Sequence, residues 1–372
     1  MAGPVTGVPA FDPAEVAVAA AKIPLSRSLA QYDPALEQAV RIGLAYIDFT
    51  FDGDHPRYGT DAYAAPEHEG FPPTIVSVVD ALTLWGFTAK AERLYEYWLN
   101  HFVQADGTIA YYGTSLSEFG QLLTSAHRLI DRGGNADWLK RNRGALGRIA
   151  AHVECLVRAD SEVKLPTGVP EADENDRFAT YFHNAAWLAR GLADWTALND
   201  GSHTQLASEL KSLTLAAIRE TWPEDPEDWW LSPIVEPCVG DYWEAPISRV
   251  TENRFGSYTN YRYWPELLSS GILPNDLATR VVEARLNGGG QLYGVTRFEN
   301  HLDDWPLMDY MEGLLQLGRT ADFHLSLWGH IFFHQAEGHM TAYEQVSVPP
   351  GQRICAYCLP CQLVAVRAAA YL

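Results

Sequence analysis

Apolar residues along this chain recur with the spacing of helices, and almost nowhere with the strict alternation of a half-buried strand. The first periodic segment, "DPALEQAVRIGLAYIDFTF", opens on Asp33 as a cap with Pro34 in the first turn. Eleven more come after it, from "PPTIVSVVDALTLWG" and "TAKAERLYEYWLNHFV" to "TADFHLSLWGHIFFHQAEG" and "LPCQLVAVRAAAYL", so the pattern predicts twelve helices. Pro73, Pro306 and Pro360 fit first-turn positions, and Gly86, Gly271 and Gly318 fit helix stops.

The helices alternate in character. Even-numbered ones are apolar or small on most faces ("TIVSVVDAL", "HNAAWLARGL", "CQLVAVRAAA"), and odd-numbered ones carry a charged stripe ("AKAERLYEYW", "LKRNRGALGR"). A helix that is apolar all round is buried all round, whereas a striped one faces water. Six inner and outer pairs, recurring about every 45 to 65 residues, predict an all-α, single-domain (α/α)6 barrel over residues 33–372, with 1–32 as an N-terminal extension. Connections from inner to outer helix are tight ("GFTAK", "GILPND", "GRTAD"). Those from outer to inner are long and rich in aromatics and acids, so the site is expected where the long loops meet.

Composition narrows the partners. Aromatics reach 12%, with 12 Trp and 18 Tyr, which suits a cleft that stacks rings on apolar faces. A formal charge of −20 repels a phosphate backbone, so nucleic acid is not an expected partner. No apolar run has membrane-spanning length, and the N-terminal segment lacks the basic region of a signal peptide. Five cysteines, an odd number, then point to reduced thiols in a cytoplasm. "CAYCLPC" places Cys355, Cys358 and Cys361 at three-residue spacing, without the paired spacing of strong zinc motifs, so neither a metal nor a cofactor is expected.

The long loops supply the candidate chemistry. "DGTIAYYGTSLSEFGQ" offers Tyr111 and Tyr112 as stacking rings, and Ser115 or Ser117 with Glu118 as a helix cap. "LPTGVPEADENDRFATYFHNAAW" crowds Glu171, Asp173, Glu174 and Asp176 before a helix. Glu171, behind the apolar Val169 and Pro170, is the carboxyl expected to keep its proton as a general acid. The fourth loop mixes Trp243, Glu244, Tyr258, Asn260 and Arg262, flat faces beside hydrogen-bonding groups, as a carbohydrate site or an aromatic core would. In "FENHLDDWPLMDYMEG", Asp303 and Asp304 fit a helix cap or a ligand contact, and Asp309 lies too far along for a paired-aspartate magnesium motif. His324, His330 and His334 fall on an outer helix, in structural or solvent-facing roles. "HMTAYEQVSVPPGQ" carries Glu344 and Gln345, which its turn residues do not require.

This loop order resembles the glucoamylase family of glycoside hydrolases, inverting (α/α)6 barrels. The resemblance implies an acid in the loop after the fifth helix, here Glu171, and a base in the loop after the eleventh, here Glu344. Phe178 and Trp187 look like the aromatics on the C-terminal side of the family's acid. Gln345, Gly351 and "LPCQLVAV" look like the residues on the C-terminal side of its base. The chain departs from the pattern with Pro170 before Glu171, and with only Asp61, in "RYGTDAYAAPEHEG", for the first sugar grip. The expectation is an inverting glycosidase that binds a carbohydrate through Asp61, Tyr111, Tyr112, Asp173, Tyr181, Trp243, Glu244, Asn260, Asp304 and Gln345. The rivals are a sugar lyase or epimerase on the same barrel, with His183 and Tyr181 as proton carriers, and a non-catalytic carbohydrate-binding toroid.

Overall fold

Pro34 at the first position of a helix and the Asp33 carboxylate, which accepts from the Ala35 amide at 2.6 Å, start the first barrel helix, α2 (Pro34–Thr50). A shorter helix, α1 (Pro13–Ala20), lies across it and packs Val16 and Ala20 on Ala39, Ile42 and Ala45. The computed structural model describes residues 12–29, 31–159, 162–171, 177–199, 201–225, 228–237, 248–335, 340–348, 353–356 and 358–372.

The inner helices are α3 (Pro72–Leu84), α5 (Leu116–Asp131), α7 (Phe182–Leu198), α10 (Trp264–Ser269), α12 (Leu307–Gln316), and α14 and α15 (Leu359–Gln362 and Val364–Ala369). Each packs on the next, and α14 and α15 return to α3, which closes the ring. The outer helices are α2, α4 (Thr88–Phe102), α6 (Ala136–Val157), α8 (Thr204–Thr221), α11 (Asn275–Asn287) and α13 (Thr320–Phe333). The alternation read from sequence is real: α4 buries only Ala91, Leu94, Tyr95, Trp98, Leu99 and Phe102, a single stripe, whereas α3 is buried along nearly its whole length. Inner helices α5 and α7 touch backbone to backbone, because Gly120 and Gly191 face each other.

Two inner elements are broken where the site is built. The eighth predicted helix is α9 (Arg254–Tyr258), a π-helical turn (Thr259–Tyr263) and then α10. The widened turn inserts a residue into the helical register next to the barrel mouth. The twelfth breaks at Leu363 into α14 and α15.

The sequence pattern did not reveal a sheet. The loops after α11 and α13 pair as five antiparallel strands in the order β3 (Gln291–Leu292), β4 (Val295–Phe298), β5 (His301–Asp303), β6 (Tyr343–Ser347) and β7 (Arg353–Ala356). Strands this short, split between two loops, leave little periodicity to read. Glu344 therefore sits on a strand, with Leu302 opposite Val346 and Asp303 opposite Gln345. A two-stranded hairpin, β1 (Arg158–Ala159) with β2 (Glu162–Val163), comes directly after α6.

Candidate active site

The apolar run before Glu171 is held from beneath by the N-terminal turns of α5 and α7. Asn184 Nδ2 donates to the Val169 carbonyl at 3.0 Å, and Ser115 Oγ donates to the Pro170 carbonyl at 2.9 Å. His183 Nε2 lies 3.2 Å from the same Pro170 oxygen. Glu171 is 6% exposed, and its Oε2 receives Arg262 Nη1 at 3.4 Å.

Arg262 leaves the π-helical turn and is itself buried. Its Nε donates to Glu266 Oε1 at 2.5 Å and its Nη2 to Glu118 Oε1 at 3.1 Å. Burial works against its charge, but Glu266, Glu118 and Glu171 together outweigh burial and hold its pKa well above the ordinary arginine value. Three carboxyls share one guanidinium, and burial pushes Glu118 up to about 8, so this carboxyl holds a proton at neutral pH.

Glu344 enters from the other side of the mouth, on β6. It is 6% exposed and its Oε1 accepts from the Tyr58 hydroxyl at 3.5 Å. Gln345 points its Nε2 at Asp303 Oδ2, 2.9 Å away, while Asp303 Oδ1 takes the Trp305 amide at 3.1 Å. Burial first, and then the nearby Glu344 charge, raise the Asp303 pKa well above the carboxylate range. Beneath the strand, Cys361 Sγ donates to the Tyr343 carbonyl at 3.3 Å, and burial raises the pKa of the buried Cys358 thiol beside Tyr58.

Glu171 and Glu344 line one cavity of ≈ 80 Å³ together with Tyr58, Tyr63, His68, Phe71, Tyr111, Tyr261, Arg262 and Trp305. Trp305 stacks on Phe71 at 6.1 Å between centroids, and the Arg262 guanidinium lies 5.1 Å from the Trp305 ring. Such walls offer flat apolar faces and hydrogen-bonding edges to the same ligand.

The other expected residues fall in different places. Tyr111 lines the cavity, and Tyr112, 48% exposed, stacks on it from outside. Asp173, Trp243 and Glu244 lie outside the described residues, as do the side chains of Asp61 and Cys355. Tyr181 is fully buried, its hydroxyl donating to the Arg177 carbonyl and its ring edge-on to Tyr263. Asn260 is committed to the frame: Nδ2 donates to the Gly290 and Arg297 carbonyls, and Oδ1 accepts from Arg285.

The helix-cap reading of Asp303 and Asp304 does not hold, because Pro306 occupies the cap of α12. The buried Asp304 instead accepts from the Thr296 amide at 3.1 Å and faces His330 Nδ1 at 3.0 Å and His334 Nε2 at 3.3 Å, joining the sheet to α13. Those two histidines are structural and wholly buried. His183 is buried too, stacked on Tyr263, and burial brings its pKa down to about 4. Sequence reasoning passed over Tyr58, Tyr63, His68 and Phe71. The only signal was the density of rings in the first long loop, whose weight depends on the fold around it.

Among the described residues, no three His, Cys, Asp or Glu side chains converge as metal ligands, and no helix is long and apolar enough to cross a membrane.

No family model matches the chain, and no curated protein matches its sequence. Solved structures do. A glutamate-to-alanine variant of a glycosidase in complex with glucose aligns with a TM-score of 0.60 at 14% identity, covering 90% of this chain and 96% of that one. The GH76 alpha-mannanase of Bacteroides thetaiotaomicron aligns at 0.58 and 10% identity, covering 90% and 94%. A sugar epimerase from a ruminal bacterium aligns at 0.58 and 10%, covering 90% and 97%. The chain is thus a six-hairpin (α/α)6 barrel, an architecture that it shares with glycosidases and with sugar epimerases.

Proposed function

We propose that this protein is an inverting glycoside hydrolase in which Glu171 is the general acid and Glu344 the general base. The observation that carries the reading is that two carboxyls, delivered by the loop before α7 and by strand β6, line one aromatic cavity at the barrel mouth. Inversion needs one carboxyl to protonate the leaving oxygen while another, about 6.5–9.5 Å away, takes a proton from water on the opposite face of the ring. In this scheme Glu171 gives its proton to the glycosidic oxygen. The bond from that oxygen to the anomeric carbon breaks as water, deprotonated by Glu344, attacks from the other side. The product is the hemiacetal of opposite configuration.

The walls favour a neutral sugar. Arg262, the guanidinium of the cavity among the described residues, is already engaged by Glu118, Glu171 and Glu266, so it has little left to offer the carboxylate of an acidic sugar. The stacked rings of Phe71 and Trp305 suit the apolar C–H face of a pyranose. The glucose complex of the structurally similar glycosidase agrees with this class of ligand.

A second reading is sugar epimerisation, supported by His68 in the same cavity and by the epimerases among the structural neighbours. Incubating wild type, Glu171→Gln and Glu344→Gln with neutral α- and β-linked disaccharides separates the two. Release of monosaccharide by wild type alone supports the hydrolase. Conversion to an isomeric disaccharide supports the epimerase, and tight binding without turnover by any of the three supports a binding toroid.

A further inference from the structure

Glu118 stands at the third position of α5 and its Oε2 accepts from the Ser115 amide at 3.1 Å, closing a capping box. A cap of this kind contributes about 1 kcal/mol and works at the surface. Here the carboxyl has 0% exposure, and a buried polar oxygen left without a partner costs about 1–3 kcal/mol. Capping does not account for that burial. The second oxygen does: it receives Arg262 Nη2.

A guanidinium is planar, so two clamps fix its plane and with it the direction of every remaining N–H. Glu266 holds the Nε edge of Arg262, and is itself held by Ser117 Oγ at 2.7 Å and Gln121 Nε2 at 3.3 Å. Glu118 holds Nη2. What is left to aim is Nη1, which meets Glu171. The same turn of α5 fixes the backbone beneath that carboxyl. Ser115 Oγ donates to the Pro170 carbonyl, and the Ser117 amide donates to Asn184 Oδ1 at 3.0 Å while Asn184 holds Val169. One helix start therefore controls both the backbone and the side chain of Glu171.

We infer that Glu118 is a positioning residue for the acid step, holding Arg262 in the plane from which it aims the Glu171 carboxyl at the leaving oxygen. The inference rests on the reading of Glu171 as the acid. Its role is one of shape and hydrogen bonding rather than charge, which agrees with a carboxyl that burial keeps protonated at neutral pH. A side-chain amide has the same shape and, with its oxygen turned to Arg262 Nη2, keeps that clamp, although its NH2 end cannot accept from the Ser115 amide.

The test compares a substrate that needs protonation with one that does not: a methyl glycoside and the glycosyl fluoride of the same glycone and anomer, glucose first and mannose second. General acid catalysis contributes about 10²–10⁴-fold to departure of a poor leaving group. Glu118→Ala is expected to lose roughly 100-fold in kcat on the methyl glycoside and less than about threefold on the fluoride, while Glu118→Gln, whose oxygen can still take Arg262 Nη2, recovers most of the loss on the methyl glycoside. Should the alanine variant fail to fold, Glu118→Leu keeps the volume and carries the same comparison. Equal losses on the two substrates, or none on either, would overturn the inference. Glu171→Gln run alongside must give the same leaving-group signature. Its absence there would overturn the acid assignment, and this inference with it.

Discussion

The Tyr58 hydroxyl donates to Glu344 Oε1 over 3.5 Å, joining the first long loop of the barrel to the last across 286 positions of chain. Tyr58 cannot exchange this role for an ionised one, since burial, Cys358 and Glu344 all raise its pKa well above the ordinary tyrosine value. It orients the Glu344 carboxylate, the base of the proposed mechanism, as a donor. Hydrogen bonds to charged groups are worth about 1.5–3 kcal/mol, and about 1.4 kcal/mol is tenfold in rate. Tyr58→Phe is therefore expected to lower kcat by about tenfold or more, with KM within about twofold, in steady-state assays on the best disaccharide.

Asp80, on inner helix α3, is buried among Arg128, Arg132 and Arg367. Burial alone would raise its pKa, but the three guanidinium groups prevail and hold it well below the ordinary 3.8. Its stabilising contribution is present above that ordinary value and is lost as the pH falls from 3.8 towards the depressed one. Removing one partner of a buried ion pair costs about 3–5 kcal/mol. Asp80→Asn should lower stability at pH 7 by roughly that much, in denaturant titrations, and the gap from wild type should shrink below pH 3.8.

Glu118 has the opposite sign. Its folded pKa is raised by burial from 4.5 to about 8, so the stability linked to its proton is complete below 4.5 and is lost as the pH climbs through about 8. The melting temperature of wild type should fall relative to Glu118→Gln across that window. A constant difference from pH 4.5 to 9 would mean that the carboxyl is already ionised.

Gly120 tests the closure of the ring. A Cβ there would lie 2.0 Å from the Trp187 carbonyl oxygen, a backbone atom of the facing inner helix. The helices must part to admit it, and overpacking of this kind costs about 1–3 kcal/mol and sometimes more. Gly120→Ala should lower the melting temperature and weaken catalysis, because Ser117 and Glu118 lie within a turn of it. Gly144→Ala, whose nearest contact is the Arg148 guanidinium at 4.0 Å, should be neutral or better.

The barrel was legible because inner and outer helices differ in how much of their circumference is apolar, a property that survives in one sequence. Loop order placed Glu171 and Glu344 at the same end of the barrel, and both line its cavity. Arg262 was visible as a residue but not as the partner of Glu171, since a π-helical turn breaks the 3.6-residue period by which it would be oriented. Asn260 and Asp304 have the composition of ligand contacts, yet their partners are Gly290, Arg297, Thr296 and His330, on segments that meet only after folding. On one side the strand that carries Glu344 pairs with β5, some forty residues earlier in the chain, a partner that this separation hides from the alternating burial of β6.

The stereochemistry of the product tests the two-carboxylate mechanism most directly. Wild type should be mixed with a disaccharide that it cleaves, in deuterated buffer, and the first anomer released monitored by proton NMR before mutarotation. The mechanism predicts a sugar of inverted configuration from wild type, and none from Glu171→Gln or Glu344→Gln in the same interval. A product of retained configuration, or unchanged turnover in either variant, would contradict it.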